Sequence, residues 1–370
     1  MFTVTRSRIA AAASRLSSPL PIDSYLRLID PLWSPTAGRT TTGPVIRGRI
    51  EAIVPETSRA ATIVIKPGTG WTPHTPGQWV RLGLDIDGVR HQRCYSLTSV
   101  PNPADGCIRI TVQAIADGTV SNHLVRTARP GTIVHLSPPD GDFVLPSAPL
   151  PPLLFVTGGS GITPVMGMLR TLADGPGIAD AVVLHHAPTA EEAIFATELA
   201  ALADRTPGLR VLTAITGPGA PPPDARVTEA RLDRDCPDWR QREVWACGPA
   251  PMLADAEATW ATADLTHSLH LERFRPSYAP AGEPGAGGHV RFVTSGTATM
   301  ANGGTPLLEV AEAAGLTPAH GCRMGICHGC TTTLVAGCVR DLRDGHLTNE
   351  EGVLVQICVS AAAGDVELAL

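Results

Sequence analysis

Ten residues near the C-terminus, Gly321-Cys322-Arg323-Met324-Gly325-Ile326-Cys327-His328-Gly329-Cys330, constrain this chain more than any other stretch. Four residues separate Cys322 from Cys327, and two separate Cys327 from Cys330. That is the plant-type spacing for three of the four thiolates around a 2Fe-2S cluster. Iron–sulfur clusters take soft thiolate ligands, and Cys358, after 27 intervening residues, is the natural fourth. Gly321, Gly325 and Gly329 let a tight loop turn its backbone N–H groups towards sulfur. A structural zinc site or buried free thiols are the alternatives. Zinc usually shows paired CxxC spacings, which the first gap here does not match.

A one-electron carrier at one end needs something to load it, and 370 residues leave room for one or two further domains. Hydrophobic residues make up 43% and charged residues 17%, the balance of a soluble globular chain. A formal charge of -6 supplies no basic footprint for nucleic acid. Five further cysteines (Cys94, Cys107, Cys236, Cys247 and Cys338) follow no disulfide framework, which fits a reduced, cytosolic compartment. The N-terminal run MFTVTRSRIAAAASRLSSPLP is too short and too broken by serine and arginine for an export signal. A short amphipathic helical leader, able at most to touch a membrane peripherally, is expected there. No stretch reaches transmembrane length.

From about Val45 to Leu145 the pattern is all-β. Ile46 to Val54, Ala61 to Ile65, Gln78 to Leu84 and Ile108 to Ala114 are short β-branched runs between Gly, Pro and Asp turns. Closure into a small antiparallel barrel removes their edges. Within it stands Arg93-Cys94-Tyr95-Ser96, and alternation places Arg93 and Tyr95 on one face. The arginine can neutralise a phosphate, the ring can pack on a flat heterocycle, and the hydroxyl can bond a ring nitrogen. Gly118-Thr119-Val120-Ser121 then reads as a turn opening a short helix, suited to a second phosphate contact. Alone, RCYS could be an ordinary strand. With this helix start and a nucleotide module beyond, a flavin site is the better reading.

The character changes at Pro151. Leu153 to Val156 is a short buried strand, and Gly158-Gly159-Ser160-Gly161-Ile162-Thr163-Pro164 leads into a helix ending near Leu172. Strand, glycine-rich turn and helix bring backbone and helix dipole to a pyrophosphate, although a bare glycine cluster can be only a turn. Strands at Ala181 to His185, Arg210 to Ala214, Val244 to Ala246 and Ser268 to Leu271 follow. They alternate with helices at Ala190 to Leu202, Thr228 to Asp233 and Met252 to Thr262. That alternation predicts a doubly wound α/β domain with a parallel sheet. Cys247-Gly248-Pro249 closes a strand at the carboxyl edge, where such sheets bind ligands. Cys247 could be a buried thiol without a role, but its place at that edge argues against this.

Together RxYS, GxxS, GGSGITP and CGP resemble the ferredoxin–NADP reductase family, and CRMGICHGC resembles the plant-type ferredoxin domain fused to many of its members. The match runs from about Val45 to the C-terminus. The leader PIDSYLRLIDPLWSP resembles actinobacterial reductases that serve membrane fatty-acyl desaturases. The resemblance implies that Arg93 contacts flavin phosphates, Tyr95 packs on the isoalloxazine and Ser96 approaches its reactive nitrogen. It implies that Ser121, with Gly118 and Val120 in its turn, binds flavin phosphate. Gly158, Gly159, Gly161 and Pro164 would then cradle the nicotinamide nucleotide, with Thr163 near the nicotinamide. Cys247, Gly248 and Pro249 would lie by the hydride path, and Glu272 and Phe274 beside the flavin. Two departures stand out. Pro188 occupies the place where relatives carry an arginine for the adenosine ribose or its phosphate, and Glu191 and Glu192 follow. By charge that neighbourhood does not suit a 2′-phosphate, whereas the desaturase-type resemblance leans to NADPH over NADH. His328 stands where glycine is common, and is expected to be an exposed loop residue.

The expected organisation is a helical leader over 1–43, an FAD-binding β-barrel over 44–150 and an NAD(P)-binding α/β domain over 151–275. A flexible linker over 276–288 and an α+β plant-type ferredoxin domain over 289–370 complete it. The Pro/Gly/Ala linker would span roughly 20 Å as a coil, enough for the last domain to dock and turn away. That domain carries eight acids against four arginines, a balance suited to a basic patch on an acceptor or simply to solvent. Electrons are expected to run from NAD(P)H through FAD and the cluster to a membrane desaturase. A soluble, alkane or ring-hydroxylating monooxygenase is the alternative acceptor, and a flavin/iron–sulfur redox sensor the remote one. The protein is expected to be a monomer in the cytoplasm, at the membrane face only through its acceptor.

Overall fold

The computed structural model describes residues 39–40, 43–116, 118–147, 149–217, 226–274, 287–321, 323–325 and 328–370. Most of the expected leader and linker lie outside these residues, as do Cys322 and Cys327. A two-residue antiparallel pair, β1 (Arg39–Thr40) with β2 (Gly43–Pro44), precedes three larger sheets.

The first large sheet holds β3 (Ile46–Thr57), β4 (Ala60–Pro67), β5 (Trp79–Ile86), β6 (Val89–Ser96), β7 (Ile108–Gln113) and β8 (Ile133–Leu136). They pair antiparallel in the order β6-β5-β8-β3-β4-β7. A bridge between Leu97 and Ile110 brings the two ends together, so the sheet closes as the alternating pattern predicted. Ile50, Ile63, Ile65, Val80, Leu82 and Ile110 fill the interior. Helix α1 (Thr119–Asn122), continued by a π-helical turn to Thr127, caps it.

The second sheet is wholly parallel: β9 (Leu153–Gly158), β10 (Ala181–Ala187), β11 (Leu209–Ile215), β12 (Glu243–Cys247) and β13 (Leu269–Glu272), in the order β11-β10-β9-β12-β13. Every residue of β9 and β10 is buried, because helices cover both faces. Helices α2 (Ile162–Asp174) and α3 (Ala196–Arg205) pack with Phe155, Val183 and Trp245. Helices α4 (Glu229–Asp235) and α5 (Ala250–Thr262) pack with Val156, Leu184 and Ala246 on the other face. Strand order reverses between β9 and β12, which opens a crevice at their carboxyl ends.

One helix differs from expectation. Ala190 to Leu202 is not continuous: a single 3-10 turn at Ala190–Glu192 ends at Ala193, and α3 starts only at Ala196. Phe195 breaks the run at φ 62, a left-handed conformation that buries its ring in the core. Packing of one aromatic outweighs the helix propensity of the alanines around it.

The third sheet contains β14 (Gly288–Phe292), β15 (Thr297–Ala301), β16 (Thr331–Asp341), β17 (Leu347–Thr348), β18 (Leu354–Gln356) and β19 (Ser360–Leu368). Its order is β15-β14-β19-β16-β17, with β18 also on β16, and helix α6 (Leu307–Ala313) packs on it through Leu307, Leu308 and Ala311. Among the described residues no helix is long and apolar enough to cross a membrane.

Candidate active site

Two loops meet at the crevice of the parallel sheet. β9 ends in Gly158, and Gly159-Ser160-Gly161 turns at once into α2. Beside it, β12 ends in Cys247, and Pro249 caps α5. The two turns touch backbone to backbone: a Cβ on Gly161 would lie 1.9 Å from the Cys247 carbonyl oxygen and 2.8 Å from the Gly248 nitrogen. Only glycine fits there, so the cradle stays open at backbone level for a pyrophosphate. Thr163 and Pro164 are buried in the first turn of α2, and the Thr163 hydroxyl donates to Ser160 O at 2.8 Å.

Cys247 pairs across the sheet with Thr157 on one side and Glu272 on the other. It is completely buried, and desolvation, then the Glu272 charge, holds its thiol far above the usual range. Glu272 is partly shielded as a residue, but its Oε2 atom is shut off from solvent and lacks a partner. Burial, with a smaller contribution from Asp142, pushes its carboxyl up to about 8. Phe274, two residues on, packs against the core formed with Phe155 and Trp245. A buried carboxyl whose pKa is raised at the edge of a ligand crevice is a candidate functional group.

The folded value of Glu272 lies above the ordinary one, so stability is complete below about pH 4.5 and is lost as pH rises through about 8. Glu272→Gln cannot ionise and is expected to melt like the wild type near about pH 4, higher by a margin that grows up to about pH 8 and is level above it. A pH series of thermal unfolding curves measures this. A constant offset across the series would contradict it.

On the barrel, β6 presents the RCYS residues. Ser96 is buried opposite Trp79 and its hydroxyl has no partner. Tyr95 packs against the barrel interior, and burial raises its phenol above the ordinary range. The Arg93 guanidinium is half-buried and donates from Nη1 to Gln92 O at 2.6 Å and to Gly321 O at 3.3 Å. The second contact crosses from the barrel to the cysteine loop. Gly118, Val120 and Ser121 form the start of α1, where Val120 is buried and the Ser121 hydroxyl donates to Gly118 O at 3.2 Å. A partnerless buried hydroxyl beside an arginine and a tyrosine fits a ligand of heteroaromatic ring and phosphate, the demand a flavin makes.

The cysteine loop is pinned from several sides. Cys330 and Cys358 are buried, and Gly325 N–H donates to Cys358 Sγ at 3.3 Å. Arg343 and Gln356 both donate to Gly325 O, at 3.2 and 2.9 Å. Two buried thiols with a backbone N–H on sulfur fit a thiolate-held cluster. Arg323 donates from Nη1 and Nη2 to the two carboxylate oxygens of Glu312 on α6. His328 is exposed, as expected, and holds φ 53, which explains why glycine suits that position. Cys94, Cys107, Cys236, Cys247 and Cys338 are free thiols.

Around Pro188 the charge argument changes. Glu192 is paired with Arg59 of the β3–β4 hairpin at 2.5 Å, so this acid is neutralised across the domain boundary. His185 and His186, at the end of β10, are buried and held neutral down to about 4, chiefly by desolvation. Sequence reasoning missed the Arg59, Arg323 and Arg343 partnerships, since each joins segments far apart in the chain or across a turn without a motif.

Comparison with known proteins agrees with this layout. The Oxidoreductase FAD-binding domain family matches residues 72–145, the Oxidoreductase NAD-binding domain family residues 155–258, and the 2Fe-2S iron-sulfur cluster binding domain family residues 293–363. An NADPH oxidoreductase of Mycobacterium tuberculosis is 46% identical over 361 residues, covering 96% of this chain and 90% of that protein. The chain belongs to the ferredoxin–NADP reductase family, in the branch with a fused 2Fe-2S domain. This reductase is also 31% identical to the glycine betaine monooxygenase reductase subunit of Pseudomonas aeruginosa, over 79% of the chain and 86% of that subunit. Its fold matches phthalate dioxygenase reductase with a TM-score of 0.58 at 20% identity, over 88% of this chain and 98% of that one. The reductase is an oxidoreductase that passes electrons from NAD(P)H through FAD and a 2Fe-2S cluster to an acceptor.

Proposed function

We propose that this reductase draws its electrons from NADPH and delivers them to a membrane fatty-acyl desaturase. The observation that carries the reading is the match over 96% of the chain to an NADPH oxidoreductase, an extent that must take in most of the leader. The leader is the segment whose resemblance points to desaturase partners. Pairing of Glu192 with Arg59 supports NADPH, because the acid does not confront a 2′-phosphate as a bare charge. We place the domain boundaries at 44–150, 151–275 and 289–370, in keeping with the three sheets.

The residue roles are these. Arg93, Tyr95, Ser96, Gly118, Val120 and Ser121 would hold the flavin. Gly158, Gly159, Gly161, Thr163, Pro164, Cys247, Gly248 and Pro249 would hold the nucleotide, and Cys322, Cys327, Cys330 and Cys358 the cluster. Bound there, the flavin supplies conversion of a two-electron donor into two single electrons, and the cluster carries them one at a time. Cys247, Glu272 and Phe274 shield the meeting point of the two rings from water, and Glu272 keeps a proton within it. Arg93 then ties the flavin strand to the loop that bears the first cluster ligand.

The similarity to a monooxygenase reductase subunit favours a second reading, in which the acceptor is an oxygenase component. Steady-state reduction of cytochrome c should show NADPH favoured over NADH by about tenfold or more in kcat/KM. Reconstitution with a membrane desaturase should then restore desaturation, while a ring-hydroxylating oxygenase should not turn over. Equal use of both nucleotides would contradict the NADPH assignment, and turnover of the oxygenase alone would move the acceptor to the second reading.

A further inference from the structure

Helix α2 carries a side chain outside the motifs that joins the nucleotide domain to the flavin strand. Arg170 lies seven residues beyond Thr163 on α2, two helical turns from the cradle. Its Nε and Nη2 donate to the two oxygens of Glu198 on α3, at 2.8 and 2.6 Å. Its Nη1 reaches across to the barrel and donates to Thr98 O at 2.6 Å. Thr98 is two residues past Ser96, and its own N–H is fixed to Arg109 O at 2.8 Å. The guanidinium also lies 5.0 Å over the ring of Phe195, the residue held at φ 62 where the expected helix breaks.

The same helix face makes a second close approach. A Cβ on Gly167 would sit 2.4 Å from Leu97 O, so α2 rests directly on the backbone that follows Ser96. Glycine allows the contact and Arg170, one turn on, fixes its direction. A planar guanidinium with three bonds on two elements is a rigid strut, whereas a lysine would place one point charge. The strut links the helix whose first turn holds Thr163 to the strand end that holds Ser96.

We propose that Arg170 is a positioning residue that sets the register of the nicotinamide over the flavin, touching neither. The inference rests on the assignment of Thr163 and Ser96 to the two cofactor rings. Hydride transfer is steep in distance, and a misplacement of about 1 Å costs on the order of a hundredfold in rate. Arg170 therefore acts on the hydride step and leaves the pyrophosphate cradle and the cluster loop untouched.

The test uses the full-length protein with FAD and cluster bound, mixed anaerobically with NADPH and with 4-deuterated NADPH. In Arg170→Gln the flavin-bleaching rate at saturating NADPH is expected to fall about tenfold or more, with half-saturation within about threefold of wild type. The deuterium isotope effect should rise, and Arg170→Lys should recover part of the rate. Bleaching within about twofold of wild type, or a change confined to half-saturation, would overturn the proposal. If Arg170→Gln fails to fold, Glu198→Gln serves, since it loosens the strut and keeps the arginine. It should slow bleaching in the same direction by less, and a wild-type rate in that variant overturns the proposal equally. Wild-type flavin that NADPH and NADH both fail to reduce would instead overturn the underlying site assignment.

Discussion

Cys358→Ala is expected to abolish the visible absorbance and electron paramagnetic resonance of the cluster while leaving the flavin in place. Cys358 is buried in the core of the last domain with Ile357 and Val359, and Gly325 N–H already points at its sulfur. Loss of one of four thiolates removes a ligand outright, so the effect should exceed the roughly 10- to 100-fold cost of losing an outer partner. Reduction of cytochrome c should fall by at least that factor. Reduction of ferricyanide, which can accept from flavin, should persist. Iron and sulfide content together with the two assays decide the matter. A variant with intact cluster signal would move the fourth ligand elsewhere.

The second large effect concerns the cradle. Gly161→Ala would drive a methyl group against the Cys247 carbonyl and the Gly248 nitrogen, atoms that belong to backbone and cannot rotate away. Either the GGSG turn or the CGP edge must move, at a cost of about 1–3 kcal/mol in stability and occasionally more. A displacement of about 1 Å at this point should weaken NADPH-driven flavin bleaching by on the order of a hundredfold. Flavin and cluster spectra should remain those of the wild type. Gly159→Ala offers a graded comparison. Its φ of 53 penalises alanine, but the nearest atom to a Cβ there is the Gln113 side chain at 3.4 Å. The left-handed penalty alone is about 1–2 kcal/mol. The loss of flavin bleaching should therefore be larger in Gly161→Ala than in Gly159→Ala, and the reverse order would refute the close-packing argument.

Much of this is legible in the sequence itself. Cysteine spacing, the GGSGITP turn and the alternation of β-branched runs each report on local geometry, because loop curvature and strand pairing depend on near neighbours. The barrel, the parallel sheet and the cluster domain followed from them. What stayed hidden involves side chains that meet across domains. Nothing in the sequence around Arg59 or Glu192 joins them, and Arg170 reads as one more basic residue on an amphipathic helix. Phe195 shows the opposite failure. An alanine-rich run masked a break that exists only because the ring turns inward, packs in the core and lies beneath Arg170.

The Arg93 contact to Gly321 joins β6 to the cysteine loop, and so the proposed flavin site to the proposed cluster site. Rapid mixing of the holoprotein with NADPH under anaerobic conditions tests a relay within one chain most directly, with flavin absorbance and the cluster's paramagnetic signal followed together. The expected result is flavin bleaching followed by cluster reduction at a rate independent of protein concentration. A cluster that stays oxidised beside fully reduced flavin, or one reduced only in proportion to protein concentration, would contradict a relay built into this chain.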